Sequence, residues 1–422
     1  MASDQSGMEA ASRGPIFILV ATAIGGGSGY LLTVLAGATL GPAAYAPFAV
    51  FWSSLYLVIA GLAGIQQEVS RAARPVTGSP GRPVARNFAL AAAFTIAVVA
   101  AGTAPLWSNL VFPSGGWLLA LPLAFGVASY VLAAVLFGVL FGLRLWPLIA
   151  AAIAVDGVLR LLFTGIALAL TKDLVILGWA ITIPFLLTPA LLWLFMRRRL
   201  IGKAELDVGY GRLLWNVART LIGSTATGVL ISGFPVLLGA TSPGVDPARL
   251  AAVVLAINLA RAPLVIVVLS LQSYFIVMFK RSLRPGAVLF TLQVVVAVAA
   301  VVVAAIAGFW GPALLRLVFG DGYRLDGLVL AITVVSGGLV GMLCVAGAAL
   351  LAGGRHGPYS AGWVTAAVAT IVILLLPLPL ESRAVLALCI GPAVGLLVHL
   401  AAWAWSRPWS RPPPSVPTVT LR

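Results

Sequence analysis

Apolar runs of twenty or more residues, separated by short polar breaks, follow one another from about residue 16 to residue 405. An α-helix rises about 1.5 Å per residue, so about twenty such residues cross a hydrocarbon core about 30 Å thick. The pattern predicts twelve spanning helices: Ile16 to Leu40, Tyr45 to Ile65, Asn87 to Leu110, Trp117 to Leu140, Leu145 to Leu170, Leu174 to Phe195, Leu213 to Leu238, Leu250 to Met278, Val288 to Phe309, Leu328 to Leu351, Ser360 to Leu380 and Val385 to Trp405. The period-two alternation of a transmembrane barrel is missing, so a barrel is not expected. Asp4, Glu9 and Arg13 precede the first run, which lacks a small-residue cleavage site and reads as a retained helix.

Composition sharpens this picture. Of 422 residues, 61% are hydrophobic and 9% charged, too little polar surface for a water-soluble globule of this size. No polar stretch is long enough to fold alone, which argues against a nucleotide-binding or catalytic domain, so any work must draw on an ion gradient, the membrane potential or the cargo's own gradient. Cys344 and Cys389 lie inside predicted helices, and neither a disulfide framework, a metal site nor a cofactor is expected. The net charge of +15 does not call for nucleic acid, because the basic residues sort by side of the membrane. With the N-terminus inside, the outer loops hold only Lys172, Arg249, Arg316, Arg324 and Arg383, three arginines fall inside helices, and the other 18 of the 26 Lys and Arg lie on the inner side. That asymmetry predicts a multi-pass plasma-membrane protein, bacterial in kind, with both termini cytoplasmic and its basic loops near anionic lipid headgroups.

The chain also repeats itself. Ala104 to Gly115 realigns with Gly311 to Gly322, sharing Pro, Leu, Val, Phe and Gly, and Ala21 to Gly41 realigns with Arg219 to Gly239. Six helices in each copy give both halves the same orientation, the parallel repeat of a transporter with its path between the halves. The expected organisation is a cytoplasmic N-terminus (1–13), an N-terminal six-helix bundle (14–196), a cytoplasmic linker (197–212), a C-terminal six-helix bundle (213–405) and a proline-rich disordered tail (406–422).

Polar groups inside the membrane are the candidate site. Arg160, Arg219 and Arg261 each cost about 2.5–3.5 kcal/mol at a bilayer centre, so a cavity or a partner is expected for each. Asp156 stands four residues before Arg160 on the same face, as an ion pair that either lets the fifth helix insert or takes part in coupling. Asn216, Arg219, Thr220, Ser224 and Thr227 share a stripe of the seventh helix with Gly223. On the eighth, Arg261 and Gln272 point the same way with Asn258 nearby, and Pro263 is expected to kink the helix. Trp52 and Tyr56, one turn apart, suit either stacking on a sugar or interfacial packing, while Gly25, Gly26, Gly27 and Gly29 suit close helix packing rather than a phosphate loop. His356 and His399 stand alone and are given no role beyond loop solvation or packing. Three interior arginines against one aspartate favour an anionic cargo such as a phosphate or pyrophosphate.

Three stretches carry a family resemblance: Leu40-Gly41-Pro42 with Tyr45 and the run to Gly64-Ile65-Gln66-Gln67-Glu68 and Arg71; Arg261-Ala262-Pro263; and Pro312-Ala-Leu-Leu-Arg316-Leu-Val-Phe-Gly320-Asp-Gly-Tyr323. Over residues 14 to 405 the chain resembles the multidrug/oligosaccharidyl-lipid/polysaccharide (MOP) exporter superfamily, in its polysaccharide or O-antigen flippase branch. The resemblance implies an all-α polytopic fold of MATE/MOP type, two six-helix bundles around a V-shaped cavity, and a lipid-linked oligosaccharide as cargo. It also implies glycan polymerases or glycosyltransferases of the same route as partners. It carries over no residue roles, because its motifs are structural. The first helix has no acidic residue, a departure from drug or cation antiporters of that superfamily.

A major facilitator shares the 6+6 repeat, but Gln66 to Asn87 lacks that family's Asp-Arg-x-Gly-Arg-Arg type of loop motif. A polytopic glycan transferase or ligase needs a sizeable catalytic loop, and Gly311 to Gly327, with Arg316, Asp321, Arg324 and Asp326, offers little room. The expectation is therefore a flippase and not an enzyme, with another MOP/MATE-type or a major-facilitator exporter of small molecules as the alternative, and a polytopic glycan transferase or ligase below it.

Overall fold

Proline disfavours the helical region for the residue before it, and glycine tolerates the positive φ that other residues avoid. Gly41 precedes Pro42 and takes φ 71°, ψ 170°, the one non-helical residue inside α1 (Ala2–Ala72). The computed structural model describes residues 2–76, 83–112, 116–200 and 204–405. A Cβ on Gly29 would lie 3.9 Å from Cζ2 of Trp52, whereas a straight helix would hold these positions about 35 Å apart. Thus α1 folds back at Gly41 into two arms, which are the first two predicted spans.

Eleven further helices and a two-stranded ribbon follow, with one more short helix. They are β1 (Ala73–Pro75), α2 (Val84–Gly102), α3 (Ala104–Val111), α4 (Gly116–Gly142), α5 (Trp146–Leu170), α6 (Leu174–Leu200), β2 (Ala204–Leu206), α7 (Tyr210–Ile231), α8 (Phe234–Ala240), α9 (Pro247–Arg281), α10 (Pro285–Phe319), α11 (Gly327–Ala352), α12 (His356–Leu374) and α13 (Leu380–Ala404). The two arms of α1, the α2–α3 pair, the α7–α8 pair and the eight other long helices make twelve passes, the architecture expected.

Several boundaries differ from expectation for local reasons. The third span breaks at Thr103, just before Pro105 opens α3. The seventh bends by 74° between α7 and α8, where Ser232 and Gly233 precede Pro235. The ninth continues as helix through Pro312 to Phe319, so the supposed outer loop from Gly311 shrinks to residues 320–326. No break marks Pro263, since α9 is helical from Pro247 to Arg281; the side chain of Pro263 lies outside the described residues, as does the tail at 406–422. The strands were not expected: Ala73, Arg74 and Pro75 pair antiparallel with Leu206, Glu205 and Ala204, tying the inter-half linker to the end of α1. Asp246 and Asp326 accept from Ala248 N and Leu328 N and cap α9 and α11, while Asp173 accepts from Val175 N at the start of α6.

The duplication read from the sequence appears as a repeated packing scheme. The second arm of α1 packs on α4, α4 also takes α2 and α6, the first arm packs on α5, and α5 packs on α6. In the later half α9 packs on α11, α11 also takes α10 and α13, α7 packs on α12, and α12 packs on α13. Glycines set the closest approaches. Cα of Gly25 lies 2.7 Å from where a Cβ of Gly157 would sit, so the glycine-rich first arm serves packing against α5. The two halves meet where Gly61 and Gly64 of α1 abut Thr225, Thr220 and Leu221 of α7.

Candidate substrate cavity

A cavity of about 1360 Å³ opens beside the α1–α7 contact. It exceeds the range of about 300–1,000 Å³ usual for drug-sized ligands. The second arm of α1 contributes Gln67, Glu68 and Arg71, α7 contributes Arg212, Asn216, Arg219, Thr220, Ser224 and Thr227, α9 contributes Gln272, and α12 contributes His356, Tyr359 and Ser360. Asp207, just beyond β2, completes the charged rim. The stripe on α7 has the period of one helix face, which is why the sequence could group it.

The two carboxylates are already engaged. Glu68 accepts from Nε of Arg71 at 2.9 Å and from the Thr220 hydroxyl at 3.1 Å, bridging α1 to α7. Asp207 pairs with Arg74 at 3.1 Å. Among the described residues no ion pair engages Arg212 or Arg219, so the lining carries uncompensated positive charge.

The opposite end is shut. Tyr323 follows α10, is 1% exposed, and donates its hydroxyl to the Gly37 carbonyl at 3.1 Å. Burial raises the pKa of that hydroxyl and keeps it a donor. Tyr323 meets both Tyr45 and Phe319 edge-on, Gly322 abuts Pro42, and Asn258 reaches the Tyr45 hydroxyl at 3.5 Å. Nearby, Arg383 donates to the Ser242 hydroxyl and Arg249 pairs with Glu381 at 3.0 Å. The hinge of α1 and the motif ending at Tyr323, both singled out in the sequence, are therefore the two sides of one closure.

Of the predicted residues, Asn216, Arg219, Thr220, Ser224, Thr227 and Gln272 come together on the cavity. The others lie elsewhere. Arg160 is 8% exposed within the first half, bonded to Asp156 and to the Tyr56 hydroxyl, with its guanidinium carbon 3.9 Å from the centroid of Phe185. Thr188 donates to the second oxygen of Asp156 at 3.3 Å. Trp52 and Tyr56 stack on each other at 4.7 Å, so Tyr56 serves the chain's own arginine rather than facing the cavity.

Arg261 is 4% exposed against Gly337 of α11, and its Nε and Nη1 find no acceptor among the described residues. It shares a face with Gln272, but eleven residues of helix separate them by about 16 Å. A common stripe therefore does not place both at the depth of the cavity. Glu68, Arg71, Asp207, Arg212, His356 and Tyr359 were missed as lining, although Glu68 and Arg71 stood in a quoted motif and Arg71 and Arg212 were counted only as determinants of orientation.

No family model matches the chain. Among curated proteins, it is 35% identical over 415 residues to the uncharacterized protein Rv1510 of Mycobacterium tuberculosis, covering 94% of both chains. It is 33% identical over 417 residues to the uncharacterized protein Rv3630 of the same organism, covering 95% of this chain and 94% of that one. Among solved structures, a MOP superfamily transporter from Pyrococcus furiosus superposes with a TM-score of 0.65 at 14% identity, over 93% of this chain and 96% of that one. The inward-facing form of a multidrug resistance MATE family transporter of the MOP superfamily superposes with a TM-score of 0.66 at 16% identity, over 91% and 94%. At such identities the likeness establishes a shared fold.

Proposed function

The chain belongs to the family of the mycobacterial proteins Rv1510 and Rv3630, and we propose that it is an alternating-access flippase. Its cargo in this reading is an isoprenoid-pyrophosphate oligosaccharide, moved from the cytoplasmic to the outer leaflet. The observation that carries the reading is the wide cavity in which Arg212 and Arg219 face hydroxyls and amides with no carboxylate of their own. A guanidinium fork suits a pyrophosphate, and the neutral donors on α7 suit sugar hydroxyls. The MOP-type fold supports transport, and in this reading, in line with the asymmetry of Lys and Arg, the end of the cavity with Arg71, Arg212 and His356 faces the cytoplasm.

In this reading the positive charge lies on Arg219 and Arg212, because Arg160 and Arg261 are away from the cavity. Export of small cationic drugs is the second reading, favoured by the fold likeness to a multidrug MATE transporter. Against it, both cavity carboxylates are held by Arg71, Thr220 and Arg74.

The test uses liposomes carrying the protein and a labelled prenyl-pyrophosphate oligosaccharide, scored by the label's protection from a membrane-impermeant reagent. A charged hydrogen bond is worth about 1.5–3 kcal/mol, so Arg219→Ala is expected to slow translocation by about tenfold or more. Full-rate translocation by the Arg212→Ala/Arg219→Ala protein would overturn the reading, as would movement of a cationic amphiphile and not the glycolipid.

A further inference from the structure

We propose that His399 is a proton-binding site linked to the cavity. It lies on α13, is 0% exposed, and touches two other helices through both ring nitrogens. Nδ1 is 3.2 Å from the Leu343 carbonyl of α11, and Nε2 is 2.9 Å from the Tyr359 carbonyl of α12. A carbonyl oxygen only accepts, while a neutral imidazole has one N–H and one lone pair. The neutral ring therefore turns a lone pair toward one of the carbonyls. Only the imidazolium, with two N–H groups, satisfies both contacts.

The pocket is shaped for the ring. A Cβ on Gly347 of α11 would lie 3.3 Å from Cε1 of His399, and one on Gly362 of α12 would collide with the ring. Two glycines in facing helices let the imidazole reach both backbones.

The ionisable surroundings leave the proton exchangeable. α13 packs on α11 and α12. α11 contributes Cys344; α12 contributes Tyr359, with His356 one turn earlier and Arg355 at its start, where Arg355 donates to Ala402 O. On α13 itself, Cys389, Arg383 and Glu381 stand ten or more residues away, which is about 15 Å or more along the axis. No carboxylate occurs in α11 or α12 to lock a proton in place. Desolvation of the charge opposes protonation and the two carbonyls favour it, so occupancy responds to its surroundings.

The link to the cavity runs through Tyr359. Its ring lies parallel to that of His399, at 11° and 5.9 Å, and the same residue lines the cavity with Arg219 and Gln272. Charge on the imidazole thus sits one side chain behind the wall. An anion in the cavity and a proton on His399 strengthen each other, and thermodynamic reciprocity makes the effect mutual.

The experiment is ¹⁵N-histidine NMR of the full chain in nanodiscs. The protein has two histidines, so His356→Gln leaves His399 alone and assigns its signals in the parent protein. Between about pH 8 and 5, the range in which histidine ordinarily titrates, the expected result is loss of the unprotonated-nitrogen signal and its replacement by two imidazolium resonances. Persistence of one neutral tautomer throughout would overturn the proposal. Inorganic pyrophosphate is then added and should move the midpoint to higher pH; an unmoved midpoint would overturn the link. This second arm rests on the anion-cavity reading, whereas the ligand-free titration reads the ring directly, so failure of either is told apart from failure of the other.

Discussion

Removing the acidic partner of Arg160 tests whether the buried Asp156–Arg160 ion pair is structural. The side chains of Arg160 and Asp156 are 9% and 23% exposed, and the guanidinium also has the Tyr56 hydroxyl and the face of Phe185. Asp156→Leu leaves an unpaired cation within the bundle, at a cost of about 2.5–3.5 kcal/mol on insertion scales. The aromatic face already returns about 0.5–2 kcal/mol of that. The net loss expected is about 0.5–3 kcal/mol, a factor of about 2–150 in the unfolding equilibrium.

Replacing both partners with apolar residues is often neutral or stabilising, so Asp156→Leu/Arg160→Met should recover stability to near the parent value. The hydroxyls of Thr188 and Tyr56 lose a partner in the double variant, a penalty of about 0.5–1.5 kcal/mol each at most. Detergent titration to the unfolded state in mixed micelles gives the four free energies of the cycle, and liposome translocation gives the activities. A structural pair predicts that the double variant still transports. A stable double variant without transport would refute this reasoning and assign Asp156 to coupling.

Two further outcomes test the conformation and the packing. With Cys344 and Cys389 replaced by Ala, Pro42→Cys/Gly322→Cys should crosslink under oxidant, because these positions abut at the closed end, and should stop translocation until reductant is added; no crosslink would contradict the closure. A Cβ at Gly64 would lie 3.1 Å from the backbone of Thr220 and Leu221, so Gly64→Val should push α1 from α7 and lower stability by about 1–3 kcal/mol in the same titration, and an unchanged value would refute the tight contact.

What the sequence disclosed and what it hid divide along a physical line. Hydropathy reports a residue's solvent, and so the twelve passes, the duplication and the α7 stripe were legible, because each follows from one helix meeting lipid or from one helix face. Of the breaks, the reversal of α1 at Gly41–Pro42 was legible, whereas the one at Thr103, two residues before Pro105, lay inside a single expected span, and Pro312 stays within α10 with its neighbours packed on α11. Proline alone is therefore an ambiguous mark. Depth was not legible at all: Arg219, Arg160 and Arg261 are equally interior by hydropathy, yet one lines a cavity, one is bound by Asp156 and Tyr56, and one is sealed against Gly337.

The separation of those three arginines depends on partners far away in sequence. Tyr56 lies 104 residues from Arg160, and Glu68 lies 152 from Thr220. Such pairings are set by how helices dock, and periodicity carries no information about docking. The same reasoning explains why His399 looked inert. Its two acceptors are main-chain oxygens of α11 and α12, groups that every residue possesses and no side-chain pattern reveals. A cavity wall whose polar residues come from four helices thus mixes residues found by their spacing, on α7, with residues found only by where the other helices set them down.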